Sequence, residues 1–166
     1  MHNAHIPPGS SNGWLKITAL RDIYLALAHK SELPRVLCGD FNTPQAELTD
    51  GQVVTWAQRL RSSGTWHIAR RVRDGSGKEW DEAERAVLTG LGQFDLEDCF
   101  RALHDYGRQE HSWYFRGAGK RIGRRFDHVF ASPGLRARSC EYLHGPRLGD
   151  LSDHSPIEVD FDWPSS

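Results

Sequence analysis

The chain has 166 residues, 38% hydrophobic and 26% charged, with a formal net charge of −1. That length suits one domain with a real core, and the composition excludes a low-complexity or disordered chain. A balance so close to neutral excludes general polycation behaviour, so any affinity for nucleic acid must come from a local basic face.

No stretch approaches the ~20 apolar residues of a membrane span. The opening residues, MHNAHIPP, lack the charged and apolar regions of a secretory signal. Cys38, Cys99 and Cys140 are far apart and leave one thiol unpaired in any disulfide scheme. Reduced cysteines and a cytoplasmic location are the simplest expectation. Cys38 lies in an apolar run and reads as a small core residue, not a nucleophile.

In chain order, residues 3–6 (NAHI) read as the middle of a strand with no turn before it, as if the chain starts inside a domain. The turn cluster PPGSSNG (7–13) closes that strand. The spacing of Ile17, Leu20, Tyr24, Leu27 and Ala28 predicts a helix over 15–29, which Pro34 cannot continue. Residues 36–38 form a buried strand feeding Gly39-Asp40-Phe41-Asn42. Segments 53–61 and 80–88 suggest short helices, with 66–69 extended between them and 74–78 a loop. Residues 95–104 read as a helix with Leu96, Cys99, Phe100 and Leu103 on one side. Strands are expected at 112–115 and 126–131, joined by a basic, glycine-rich hairpin loop at 117–125. The chain closes with a strand at 156–161 that alternates Ile157, Val159 and Phe161 inward with Glu158 and Asp160 outward. Strands mixed with helices, with no internal repeat, predict a single α/β domain spanning 1–166.

The chemistry concentrates where apolar runs meet polar clusters. If Asp40 and Asn42 lie in extended backbone, they point to one side while Phe41 faces the core. A carboxylate there can accept a proton from water or bind a hard cation, and the amide can orient that water or hold a phosphate oxygen. The same residues also suit an Asx turn that merely ends a strand. Asp153 and His154 follow Ser152 and precede a strand. Imidazolium can stabilise a pentavalent phosphorane, and the adjacent carboxylate can bind Mg²⁺. Asp127 sits inside a strand and needs a partner. His154 is one candidate; a salt bridge to Arg124 or Arg125 is the other. His5, just before a turn, carries no signal of its own, and the remaining histidines show no metal-ligand spacing. Arg116, Lys120, Arg121, Arg124 and Arg125 interleave with Trp113, Tyr114 and Phe115. That pattern suits a phosphate backbone with stacked bases, and equally a solvated hairpin tip.

Four segments together resemble the endonuclease/exonuclease/phosphatase superfamily, in its order: NAHIP (3–7), GDFN (39–42), FDHVFAS (126–132) and SDHSPI (152–157). DCFRALH (98–104) and HSWYFR (111–116) further resemble its exonuclease III-like branch. The resemblance implies a four-layered α/β sandwich and Mg²⁺- (or Mn²⁺-) dependent phosphoester hydrolysis. It assigns Asp40 to activating water and contacting the metal, Asn42 to the scissile phosphate, and His154 to the transition state. Asp127 would orient His154, Asp153 would be a metal ligand, and His5 would lie near the phosphate. Trp113, Arg116 and Arg124 would contact substrate. Only the C-terminal half of the fold is matched; the N-terminal half, with its early Asn and metal-binding Glu, has no counterpart. The chain thus reads as N-terminally truncated, or as completed by a homodimer or a second chain. Arg124 stands where abasic-site enzymes carry Trp, and Pro8 where they carry Asn or Gln.

These features predict a nuclease acting on DNA or RNA. The alternatives are a phosphoesterase for phospholipid head groups or small phosphoesters, and an inactive remnant that serves as a binding module.

Overall fold

The computed structural model describes residues 1–117 and 119–162. Its centre is a four-stranded sheet. In spatial order the strands are His2–His5, Val36–Asp40, Asp127–Ala131 and the two-residue strand Glu97–Asp98. The first pair is parallel and the others antiparallel. A parallel pair needs a long crossover, and helix Trp14–Leu27 lies within it.

Alternation along the strands builds two interfaces. Leu37 and Phe130, with Phe41 beyond the strand end, pack against Ile17 and Leu20 of helix Trp14–Leu27 and Trp80 and Val87 of helix Gly77–Leu88. On the other face, Val36, Cys38, Val129 and Ala131 meet Cys140, Tyr142, Val159 and Phe161. Those residues belong to an antiparallel hairpin, Arg136–Tyr142 with Ile157–Asp162. The molecule is therefore an α/β sandwich built as helices, sheet and hairpin. The last strand alternates as its sequence predicts, with odd positions shielded and even ones exposed. Cys38, Cys99 and Cys140 are free; burial raises all three thiols, the last two to about 12, which leaves no ready thiolate.

Several local expectations fail, each for a physical reason. Residues 53–61 are not a helix but two short strands, Val53–Val54 and Gln58–Leu60. Gln58 closes the turn between them: its Oε1 accepts from Thr55 N at 2.9 Å and its N–H donates to Thr55 O at 3.1 Å. Helix formation in 95–104 is confined to Cys99–Leu103, because Asp98 caps it by accepting from Phe100 N at 3.0 Å and Arg101 N at 3.2 Å. The 74–78 loop is instead the return strand Gly75–Ser76 and the first turn of helix Gly77–Leu88. The basic loop at 117–125 is largely strand: Lys120–Arg124 pairs with Trp113–Gly117.

At one glycine the backbone geometry is decisive. Gly39 has φ +137°, and a Cβ there would stand 1.9 Å from the Ala4 carbonyl oxygen. Only glycine lets strand Val36–Asp40 approach His2–His5 this closely.

Candidate active site

Sheet register assembles the site. His5 lies opposite Asp40, and Asp40 opposite Asp127, so three adjacent strands present His, Asp and Asp in one row at one end of the sheet. His154 reaches the row from the loop before the last strand, with its Nδ1 2.7 Å from Asp127 Oδ2. Asp127 therefore pairs with His154. Ligand atoms of Asp40, Asp127 and His154 all lie within 4.8 Å of one another.

Two carboxylates this close repel, and the shifts record it. Burial and the Asp127 charge push Asp40 above the usual carboxylate range, against the Asn42 backbone N–H and the charges of His154 and His5. The hydrogen bond to Asp127 lifts His154 above its ordinary 6.5, against partial burial, and the charges of Asp127, Asp40 and Asp153 add to the rise. The Asp127 carboxylate fixes the proton on Nδ1. Among the described residues Nε2 has no hydrogen-bond partner, so it is open to an incoming oxygen, to which it donates when the ring is protonated on both nitrogens.

Asn42 departs from the extended geometry expected of it. The strand ends at Asp40, and Asn42 has φ +50°. Its side chain still meets Asp40, but by folding back. Asn42 N donates to Asp40 Oδ1 at 2.8 Å, and Nδ2 donates to Asp40 Oδ2 at 3.0 Å and to Ile6 O at 2.9 Å. One side-chain N–H orients the Asp40 carboxylate and the other ties the turn to the Ile6 carbonyl.

His5 is loosely placed: its Nε2 is 3.8 Å from Asp40 Oδ2 and its side chain is 79% exposed. Asp153 is exposed and lies outside the group of Asp40, Asp127 and His154. Trp113 stacks on Phe126 (centroids 5.4 Å) and Phe115 (5.6 Å), and tilts toward His154 at 6.4 Å. Trp56 continues this aromatic wall beside Phe126 at 6.4 Å. Arg124 lies over Trp56 and Phe115, half-buried, and burial lowers its pKa. Among the described residues no carboxylate is within ion-pair distance of it, and its Nε has no partner. Arg116 is exposed and directly opposite Arg121 in the hairpin. Like charges in opposed positions are unfavourable until an anion neutralises them.

Arg125 is not part of that basic face. It is buried and paired with Glu47 (2.5 Å) and Asp98 (2.7 Å). Arg101 also pairs with Glu47. His128 completes the cluster, with Nδ1 3.2 Å from Asp98 and Nε2 2.9 Å from Thr43 O. Although burial opposes it, Arg125 and His128 hold the Asp98 carboxyl below its usual range. The cluster pins the start of strand Asp127–Ala131.

Sequence reasoning also missed Lys16 and Glu84. Both side chains are 0% exposed, and Lys16 Nζ lies 2.8 Å from Glu84 Oε1. Lys16 Nζ and Trp56 Nε1 both donate to the Asn42 carbonyl, at 2.9 and 3.0 Å. Lys16 stands one turn before Leu20 on the apolar face of its helix, and that position was the readable signal.

Two carboxylates at one sheet edge are the hard-oxygen donors that Mg²⁺ or Mn²⁺ prefers. Their mutual repulsion, seen in Asp40, is what a divalent cation would relieve. Asp40, Asp127 and His154 each offer a donor atom that could hold such a cation.

A profile of the Endonuclease/Exonuclease/phosphatase family matches residues 3–154. Exodeoxyribonuclease III of Haemophilus influenzae is 28% identical over 144 residues, covering 83% of this chain and 49% of its own length. The chain thus spans about half the length of that relative. A 3′ phosphatase, NExo, from Neisseria, solved bound to a product DNA hairpin, has a TM-score of 0.57 and 18% identity, over 97% of this chain and 60% of its own. At that identity the likeness shows the fold. Among the described residues, no helix is long and apolar enough to cross a membrane.

Proposed function

The chain belongs to the endonuclease/exonuclease/phosphatase family, and from that premise we propose that it is the catalytic half of a metal-dependent phosphodiester hydrolase acting on nucleic acid. The convergence of Asp40, Asp127 and His154 within 4.8 Å carries the reading. Asp40 orients and deprotonates the attacking water, steadied by Asn42. Asp127 holds the His154 imidazole, whose Nε2–H faces the developing phosphorane charge. When Asn42 binds the scissile phosphate, one of its present bonds must be exchanged for it. A divalent cation held by Asp40 and Asp127, with Asp153 and His5 at the rim, would polarise the phosphoryl oxygen.

Nucleic acid is favoured over a small phosphoester by the hairpin. Trp113 and its neighbours offer stacking faces, Arg116 opposes Arg121, and Arg124 is a half-buried cation with no carboxylate within ion-pair distance among the described residues. A DNA-directed activity in the curated relative and a DNA-bound structural neighbour support the same substrate. Three free cysteines suit a reducing cytoplasm.

The test is Mg²⁺- or Mn²⁺-dependent cleavage of DNA and RNA, with metal binding followed separately by calorimetry. Asp40→Asn and His154→Gln should each slow cleavage about 10²- to 10⁴-fold. Metal-dependent cleavage that survives both substitutions would overturn the assigned roles. A parent chain that neither binds metal nor cleaves would favour the binding-module reading instead. DNA affinity that falls steeply with salt supports the backbone contacts.

A further inference from the structure

Asp127 and His154 belong to different parts of the molecule. Asp127 is fixed in the central sheet, whereas His154 rides on the loop that leads into the hairpin of the other layer. A 2.7 Å contact between them needs something to hold the two backbones in step. We propose that Ser112 is a positioning residue that locks Asp127 to His154, and that the basic hairpin it opens is thereby tied to the catalytic pair.

Ser112 is fully buried and bonds to both sides. Its hydroxyl oxygen accepts from Phe126 N at 3.0 Å and Asp127 N at 3.1 Å. Its carbonyl accepts from Ser155 N at 2.7 Å, next to His154. The following residue, Trp113, bridges in antiparallel fashion to His154 itself. One residue therefore sets the spacing between the two strands of backbone that carry the pair. Deleting the hydroxyl leaves two backbone N–H groups without that acceptor.

The loop is gripped a second time through its side chain. Ser155 Oγ accepts from Arg147 Nε at 2.7 Å and lies 2.9 Å from His144 Nδ1. His144 Nε2 is in turn 3.1 Å from Glu110 Oε2. The Arg147 guanidinium lies 4.4 Å from the Tyr114 ring centroid, and Arg121 lies 4.0 Å from the same centroid. The segment Ser112–Tyr114, at the start of this hairpin, thus meets the His154 loop at all three residues. An anion that pulls on Arg121 pulls on a ring already packed against the loop's anchor.

The consequence for rate rests on the hydrolase reading, but the geometry can be tested without turnover. Nuclear magnetic resonance of the full chain should show the His154 Nδ1–H as a downfield, slowly exchanging proton. Ser112→Ala should speed its exchange about tenfold, the opening that the loss of roughly one hydrogen bond permits. Ser112→Thr, which keeps the hydroxyl, should restore it. Exchange unchanged in a folded Ser112→Ala chain, or no such proton in the parent, overturns the proposal. If Ser112→Ala does not fold, the partly exposed Arg147→Gln decides: faster exchange supports the clamp, and parental exchange refutes it. In cleavage, Ser112→Ala should lower kcat and leave KM near the parent's; this arm fails alone if the hydrolase reading is wrong.

Discussion

Replacing Lys16 by Met removes one half of an ion pair whose side chains are both 0% exposed. The shapes are similar, so little cavity forms and the cost is electrostatic. Burial already pushes Lys16 below its ordinary value despite Glu84, which means desolvation outweighs the attraction. A buried pair of this kind adds little net stability, because desolvation offsets the attraction, whereas breaking it strands a charge. The Glu84 carboxylate would keep only the Trp56 backbone N–H, 2.8 Å from Oε2, and the Asn42 carbonyl would keep only Trp56 Nε1. Removal of one partner from a buried pair costs about 3–5 kcal/mol. The double variant Lys16→Met/Glu84→Leu no longer buries a charge. It orphans the Trp56 N–H, at about 1–3 kcal/mol. It should therefore be more stable than the single variant. Urea unfolding with matched slopes measures all three chains. The reasoning is refuted if Lys16→Met loses under about 1 kcal/mol, or if the double variant loses as much as the sum of the two single ones.

Asp127→Asn should bring His154 back toward 6.5 in a resonance titration, because the bond to Asp127 is the leading cause of its rise. A folded value above the unfolded one means that this stabilisation is complete below about pH 6.5 and is lost as pH rises through the folded value. The parent should lose that increment as pH rises through the raised folded value and Asp127→Asn should not; identical pH–stability curves would sink the assignment. Gly39→Ala should abolish folding or cost more than about 4 kcal/mol, since the new Cβ would meet the Ala4 carbonyl at 1.9 Å. A Gly39→Ala chain with parental circular dichroism and thermal midpoint would show that strand His2–His5 is not held where described.

Much of the molecule was readable before folding was considered. Ile17, Leu20 and Leu27 repeat with helical spacing and are buried in a helix. Ile157, Val159 and Phe161 alternate and form a strand. Both patterns are local, because i→i+4 bonding and the two-residue pleat leave a trace in neighbouring positions. Short strands such as Val53–Val54 and Gln58–Leu60 were lost because their identity depends on partners at Ala46–Glu47 and Trp66–Ile68. Nothing near residue 53 announces those partners. Arg125 looked like one more cation in a basic run, yet its partners Glu47 and Asp98 lie elsewhere in the chain and draw it inward.

The sequence by itself determined which residue types stand at the ends of apolar runs, and in what order. That was enough to name Asp40, Asn42, Asp127 and His154 and the family they belong to. Tertiary structure alone decided how they meet. Register places Asp40 opposite Asp127, a left-handed residue folds Asn42 back onto Asp40, and Ser112 and Lys16 brace the pair and the turn from behind. The physical reason is one of range: side-chain type and period are properties of neighbours along the chain, whereas a hydrogen bond or a buried ion pair joins positions that only packing brings together.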